Sequence, residues 1–170
     1  MFKRLIKLVR QTKVSLFIGA GFSIEANAPS VSKLKSLVLS EFDNDEQRKA
    51  HEDDGLAELT EFFVEKVCSG SRNELISIMK QAFEFTPTCM DDHNMLAAIP
   101  HFNRIFTTNY DTLLEDSYPE SERDVVRNDE NCAYMNKPTA IFKIHGDFIF
   151  PDSVVITTND YNQFKKNRPN

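Results

Sequence analysis

The sequence lacks a disulfide framework, a set of zinc-binding cysteines and any long apolar run. Its 170 residues include three cysteines, which are widely spaced and form no Cys-x-x-Cys pair: Cys68, Cys89 and Cys132. An odd, scattered set signals neither a disulfide scaffold nor a structural zinc site, so we expect no metal and a reducing, cytoplasmic setting. No apolar stretch approaches the ~20 residues of a membrane span, and early basic residues interrupt any signal peptide.

Positive charge is also in short supply. Lys and Arg number 20 against 26 Asp and Glu, which gives a net charge of −6. Such a surface repels phosphate backbones and anionic lipids, so we expect neither a nucleic-acid nor a membrane partner. Apolar residues at 2, 5, 6 and 9 predict an amphipathic helix with a basic face, for which docking on the domain's own sheet is favoured over docking on a membrane.

Four short apolar runs, each followed by a turn or a polar stretch, predict strands separated by helical patterns. They cover residues 14–18, 104–108, 140–144 and 154–157. Alternating strands and helices favour an α/β fold, a Rossmann-like doubly wound and mostly parallel sheet. We expect one domain over residues 1–170 with a helical insertion at about 43–100. The acidic stretch from Asp43 is no calcium loop, because Arg48 stands where that loop needs glycine.

Unusual residues follow three of the predicted strands. In chain order they read Gly19-Ala20-Gly21-Phe22-Ser23, then Asn109-Tyr110-Asp111, then His145-Gly146-Asp147. Ligands of open parallel sheets bind outside the carboxyl ends of the strands. A turn with two glycines lets the backbone approach an anion. The coincidence of three such ends predicts a ligand site at this edge of the sheet.

Each motif also has a plainer interpretation. The glycine turn could hold no ligand, and it departs from G-x-G-x-x-G because Ile24 occupies the last position. Asn109 and Asp111 could cap the helix that begins at Thr112. A nucleophile elbow, with Ser23 attacking, His145 as base and Asp111 orienting it, lacks the glycine required two residues after the serine. The sequence offers no partner for His93 or His101, which we interpret as surface or packing residues.

The three motifs together resemble the sirtuin family, and more closely its prokaryotic branch that hydrolyses NAD in antiphage defence. Two further segments look like this branch, Ala28-Pro29-Ser30 and Thr157-Thr158-Asn159-Asp160-Tyr161. The resemblance covers the first 30 residues and most of the stretch from 93 to 164. The four zinc cysteines of deacylating sirtuins are absent, as is the arginine of their cofactor loop.

This resemblance implies a role for each motif. NAD is the expected substrate, and no metal is implied. The pyrophosphate would be held by the glycine turn, through Gly19, Ala20, Gly21 and Ser23. Asn109 would hold a ribose hydroxyl or the attacking water, and His145 would be the base. Asp111 would accept a hydrogen bond from the nicotinamide carboxamide.

The resemblance therefore predicts an NAD glycohydrolase that depletes NAD in bacterial defence. Family members often assemble, so a homo-oligomer or a partner defence protein is expected. The alternatives are a module that binds NAD or ADP-ribose without turnover, an assembly subunit, or, less favoured, a sirtuin-type deacylase. Only four strands are recognisable where a Rossmann domain has about six, so we expect the C-terminal part of the domain to be missing.

Overall fold

The structure, a computed structural model, describes residues 2–167. The chain divides into two compact units. The first unit contains the residues up to Ala28 together with Thr86–Ser153, and the second contains Pro29–Phe85 and the residues from Val154 onward. The interpretation of residues 1–170 as one domain with a helical insertion at about 43–100 stays a prediction.

Helices account for most of the regular structure in the described residues. They are α1 (Phe2–Arg10), α2 (Val31–Ser40), α3 (Asp45–Ala50), α4 (Leu56–Phe62), α5 (Asn73–Ala82), α6 (Asp91–Ala97), α7 (Leu113–Ser117), α8 (Asp129–Cys132) and α9 (Thr158–Asn167). None of these helices is long and apolar enough to cross a membrane.

The amphipathic helix predicted at the N-terminus forms, but its apolar face is not docked. In α1, Phe2 is 78% exposed, Ile6 51% and Leu5 47%. The expectation that this face packs on the domain's own sheet is therefore wrong for these three side chains.

The first unit is built on a four-stranded, fully parallel sheet, and the α/β, Rossmann-like prediction is confirmed. The strands are β1 (Leu16–Ile18), β2 (Arg104–Thr107), β3 (Arg123–Val126) and β4 (Thr139–Lys143), in the spatial order β1-β2-β4-β3. Apolar side chains from the strands and α7 form one core, consisting of Ile18, Ile105, Leu114, Tyr118 and Ile141. The three central motifs of the sequence come from strands of this unit.

The predicted strand at residues 154–157 is wrong. This segment is buried, but side chains of the second unit bind its backbone in place of a neighbouring strand. Asp160 Oδ2 accepts from the N–H groups of Ile156 and Thr157 at 3.0 and 2.9 Å. Thr60 Oγ1 donates to the Ile156 carbonyl at 3.1 Å. Because these contacts pair the backbone groups of Ile156 and the N–H of Thr157, the segment leads into α9 without joining a sheet.

The fourth strand of the sheet is instead β3, which the sequence analysis missed. It pairs only with β4, with Arg123 opposite Thr139 and Val126 opposite Phe142. Of its four residues only Val126 is buried. An edge strand of this kind carries no continuous apolar run, so its pattern does not distinguish it from a loop.

Candidate functional site

The carboxyl ends of β1, β2 and β4 lie on one rung of the sheet. Ile18 pairs with Thr107, and Thr107 pairs with Lys143. Asn109 and His145 each lie two residues beyond these paired positions, directly after two adjacent strands. The register therefore sets the three motifs at a common edge, as the sequence predicts.

The glycine motif forms a tight turn with an open side. Gly19 is extended, at φ −112° and ψ 178°, and a single 3₁₀ turn follows at Ala20–Ser23. The Phe22 N–H closes it on the Gly19 carbonyl at 3.0 Å. A Cβ atom built on Gly19 or on Gly21 would meet no heavy atom of the described residues within 4 Å, apart from the adjoining chain. Packing within the described chain thus does not require glycine at either position, whereas close approach of a ligand to the backbone would.

Behind this turn, a buried polar cluster joins Ser23, Asn109 and His93. Asn109 Nδ2 donates to Ser23 Oγ at 3.1 Å, and Ser23 Oγ lies 3.4 Å from His93 Nε2. The three residues are 1%, 4% and 1% exposed in the order Ser23, Asn109, His93. Asn109 Oδ1 is buried with no hydrogen-bond partner among the described residues. A buried amide oxygen without a partner is costly in a folded protein unless a ligand supplies a donor.

Two of the plainer interpretations can be judged from these contacts. The Asn109 side chain turns to Ser23 and does not cap α7. The Ser23 hydroxyl is buried, and the histidine it contacts is His93. This disfavours the nucleophile elbow, in which Ser23 would be presented to substrate beside His145. Ser23 as a pyrophosphate contact stays a prediction.

His93 is buried, so its interpretation as a packing residue is confirmed, and sequence reasoning missed only its contact with Ser23. It lies on α6, and the edge of its ring packs against Phe22 with centroids 4.6 Å apart. Burial lowers the pKa of His93, opposed by the charges of Asp111 and Asp92. A histidine near the start of a short helix carries no pattern that ties it to a serine seventy residues earlier.

Asp111 has the structural role that the capping interpretation assigns to it. Its Oδ1 accepts from the Leu113 N–H at 3.2 Å, at the start of α7. Its backbone carbonyl accepts from Lys143 Nζ, which also pairs with Glu115 at 2.9 Å. Burial raises the pKa of Glu115 against the opposing attraction of Lys143. This buried ion pair fixes the loop that carries Asn109, and sequence reasoning missed it, although a lysine within an apolar strand is the signal that could have found it.

His145 lies at the end of β4 among aromatic side chains. Its ring centroid is 6.5 Å from that of Tyr110, which in turn lies 5.3 Å from Phe148. Burial lowers the pKa of His145 below its ordinary value of 6.5. The imidazole is therefore neutral at pH 7, which is the form that can accept a proton.

The motif His145-Gly146-Asp147 is held by a turn that requires glycine and by Arg127, which the sequence does not predict. Gly146 has φ +69°, and a Cβ there would lie 2.3 Å from the Ser153 carbonyl oxygen. Asp147 is buried, accepts from the Ile149 N–H at 3.1 Å and pairs with Arg127 at the end of β3. Sequence reasoning missed Arg127 because it missed the strand.

No cluster of three or more metal-ligating side chains occurs among residues 2–167. The expectation that no metal is required stays a prediction.

Comparison with known proteins confirms the resemblance read from the motifs. Residues 103–170 match the SIR2-like domain family. The relatives include the NAD(+) hydrolase ThsA of Enterococcus faecium, 28% identical over 168 residues, and that of Bacillus cereus (strain MSX-D12), 25% identical over 166. These alignments cover 96% and 95% of this chain and 34% of each relative. The chain thus spans about a third of the length of the curated relatives it matches. The resemblance to the sirtuin-like family and its NAD-hydrolysing branch is confirmed.

Proposed function

We propose that this chain binds NAD and hydrolyses it to nicotinamide and ADP-ribose. One observation carries the proposal: the buried Oδ1 of Asn109 has no partner in the part of the chain that the structure describes, and it lies behind an open glycine turn at the carboxyl edge of a parallel sheet. The relatives named NAD(+) hydrolase supply the substrate class. All the residues involved lie in the first compact unit.

The glycine turn would hold the pyrophosphate. Because no described residue beyond the adjoining chain lies within 4 Å of a Cβ at Gly19 or Gly21, an anion can contact the backbone directly there. Backbone amides bind phosphate oxygens without a cationic side chain. This accords with the absence of a cofactor-loop arginine from the sequence.

Hydrolysis breaks the bond between the ribose carbon and the nicotinamide nitrogen. The bonding electrons leave with nicotinamide, which departs neutral, so the reaction needs no general acid. The oxygen of a water molecule forms the new bond to carbon, and His145 takes its proton. Asn109 Oδ1 would orient that water or a ribose hydroxyl by accepting a hydrogen bond.

Asp111 would act on the nicotinamide side of the site. Its Oδ1 accepts the Leu113 N–H, which fixes the direction of the carboxylate. A carboxylate accepts several hydrogen bonds, so one from a carboxamide N–H is compatible with this contact.

Product analysis tests the proposal. The longest form of the protein is incubated with NAD, and nicotinamide and ADP-ribose are quantified separately. Hydrolysis yields the two in equal amounts without any acylated peptide. Tight ADP-ribose binding with no nicotinamide release would establish the binding module instead, and nicotinamide release only with an acyl-lysine peptide would establish the deacylase.

The proposed biological role is NAD depletion during phage infection. Cells expressing the active protein should lose NAD after infection and release fewer phage, whereas cells expressing His145→Ala should do neither. Equal protection by both forms would contradict this role. Assembly with further copies or with a partner defence protein stays a prediction from the resemblance.

A further inference from the structure

The contact between His93 and Ser23 determines which groups of the buried cluster donate hydrogen bonds and which accept them. Asn109 Nδ2 can only donate, so Ser23 Oγ accepts from it across 3.1 Å. The serine's own proton is then available to His93 Nε2, 3.4 Å away. For His93 to accept that proton, Nε2 must be bare and Nδ1 must carry the ring's hydrogen.

The surroundings of His93 suit this neutral tautomer. The residue is 1% exposed, and its ring rests edge-on against Phe22. Burial disfavours the imidazolium form. The charges of Asp111 and Asp92 oppose this effect, since they raise the pKa of His93.

This order of donors fixes which end of the Asn109 amide faces the site. With Nδ2 held by Ser23, Oδ1 is the atom left buried and unpartnered in the described part of the chain. With a proton on His93 Nε2, the serine would accept from His93 and donate to Asn109, which favours the flipped amide. The flipped amide would present N–H groups to the site, and these cannot accept a hydrogen bond from a hydroxyl or a water.

We propose that His93 is a positioning residue, which acts through the Ser23 hydroxyl to hold Asn109 Oδ1 toward the ribose hydroxyl or attacking water. The inference deepens the proposed NAD hydrolysis and rests on it. His93 itself touches no reacting atom. Its effect is to select one of two orientations of the Asn109 amide.

Paired substitutions test this relay, in which His93 acts through Ser23 on the Asn109 amide. His93→Phe keeps a flat ring against Phe22 and loses the acceptor, whereas His93→Gln keeps an acceptor. We expect His93→Phe to lower kcat about tenfold with KM changed less than about twofold, since orientation matters mainly in the transition state. His93→Gln should recover most of the rate. His101→Phe, outside the cluster, is the matched control.

Ser23→Ala tests the same relay without altering the histidine. It should lower kcat about as much as His93→Phe, and the double variant should be no slower than either single one, because both act on one path. Unchanged kcat in His93→Phe, or multiplied losses in the double variant, would overturn the proposal.

The Asn109 side-chain amide reports on the relay even without turnover. In the wild type its two N–H resonances should be distinct and slow to exchange with solvent. In His93→Phe and Ser23→Ala they should exchange faster. Unchanged exchange in both variants overturns the relay, whereas absence of nicotinamide release by the wild type overturns the proposed function alone.

Discussion

Gly19→Ala should raise stability and weaken ligand binding at once. Gly19 has φ −112° and ψ 178°, a conformation that alanine adopts without strain, and the added Cβ meets no described residue within 4 Å apart from the adjoining chain. Replacing glycine at such a position restricts the unfolded chain and stabilises by about 0.4–1 kcal/mol. The same Cβ would occupy the space through which a pyrophosphate approaches the backbone.

Gly146→Ala provides the contrast. At φ +69° an L side chain adopts the left-handed region at a cost of about 1–2 kcal/mol. The Cβ would also lie 2.3 Å from the Ser153 carbonyl oxygen, so the backbone must shift. For a chain of this size, each kcal/mol corresponds to about 2–4 °C in Tm. We expect Tm to fall by at least about 3 °C in Gly146→Ala and to rise slightly in Gly19→Ala.

Calorimetry with ADP-ribose measures the loss of ligand affinity in Gly19→Ala, and denaturant unfolding measures its gain in stability. A ligand displaced by about 1 Å loses up to about a hundredfold in rate, so kcat/KM for NAD should fall by about 10- to 100-fold in Gly19→Ala. Unchanged ADP-ribose affinity and unchanged kcat/KM in a stabilised Gly19→Ala protein would refute the assignment of this turn to the pyrophosphate.

Because burial lowers the pKa of His145, the acid limb of the kcat/KM profile should have its midpoint below the ordinary value of 6.5; this limb should vanish in His145→Gln, and its persistence would assign it to another group, such as His93. Asp160→Asn should lower the free energy of unfolding by about 2 kcal/mol, since the carboxylate binds Arg72 at 2.9 and 3.0 Å and caps two N–H groups; exposed Asp152→Asn is the control, and equal stability of the two variants would contradict this reasoning. Chelation by EDTA should leave nicotinamide release unchanged, and a loss restored by added zinc would show that a metal is required.

Much of the sheet follows from local sequence, because β1, β2 and β4 are short apolar runs ended by glycine or polar residues. Their shared edge follows from parallel pairing alone. Residues 154–157 show the limit of this reasoning. A buried apolar segment looks the same whether its backbone bonds to a strand or to the side chains of Asp160 and Thr60.

The site could be predicted only where its residues adjoin strand ends. Asn109 and His145 do so, and the sequence predicts their common edge. His93 and Arg127 reach the site through α6 and through an edge strand, and no local pattern links either to its partner. The role of Asp111 as a cap follows from its position before α7, as the plainer interpretation held.

The measurement that tests the central claim most directly is nicotinamide release by Asn109→Ala. Removing the amide removes a buried acceptor that has no partner among the described residues, so the rate should fall about a hundredfold or more while the protein stays folded. Asn136→Ala, at an exposed position, should retain the wild-type rate. A folded Asn109→Ala protein that releases nicotinamide within about twofold of the wild-type rate would contradict the account, since orientation by this side chain would then contribute nothing.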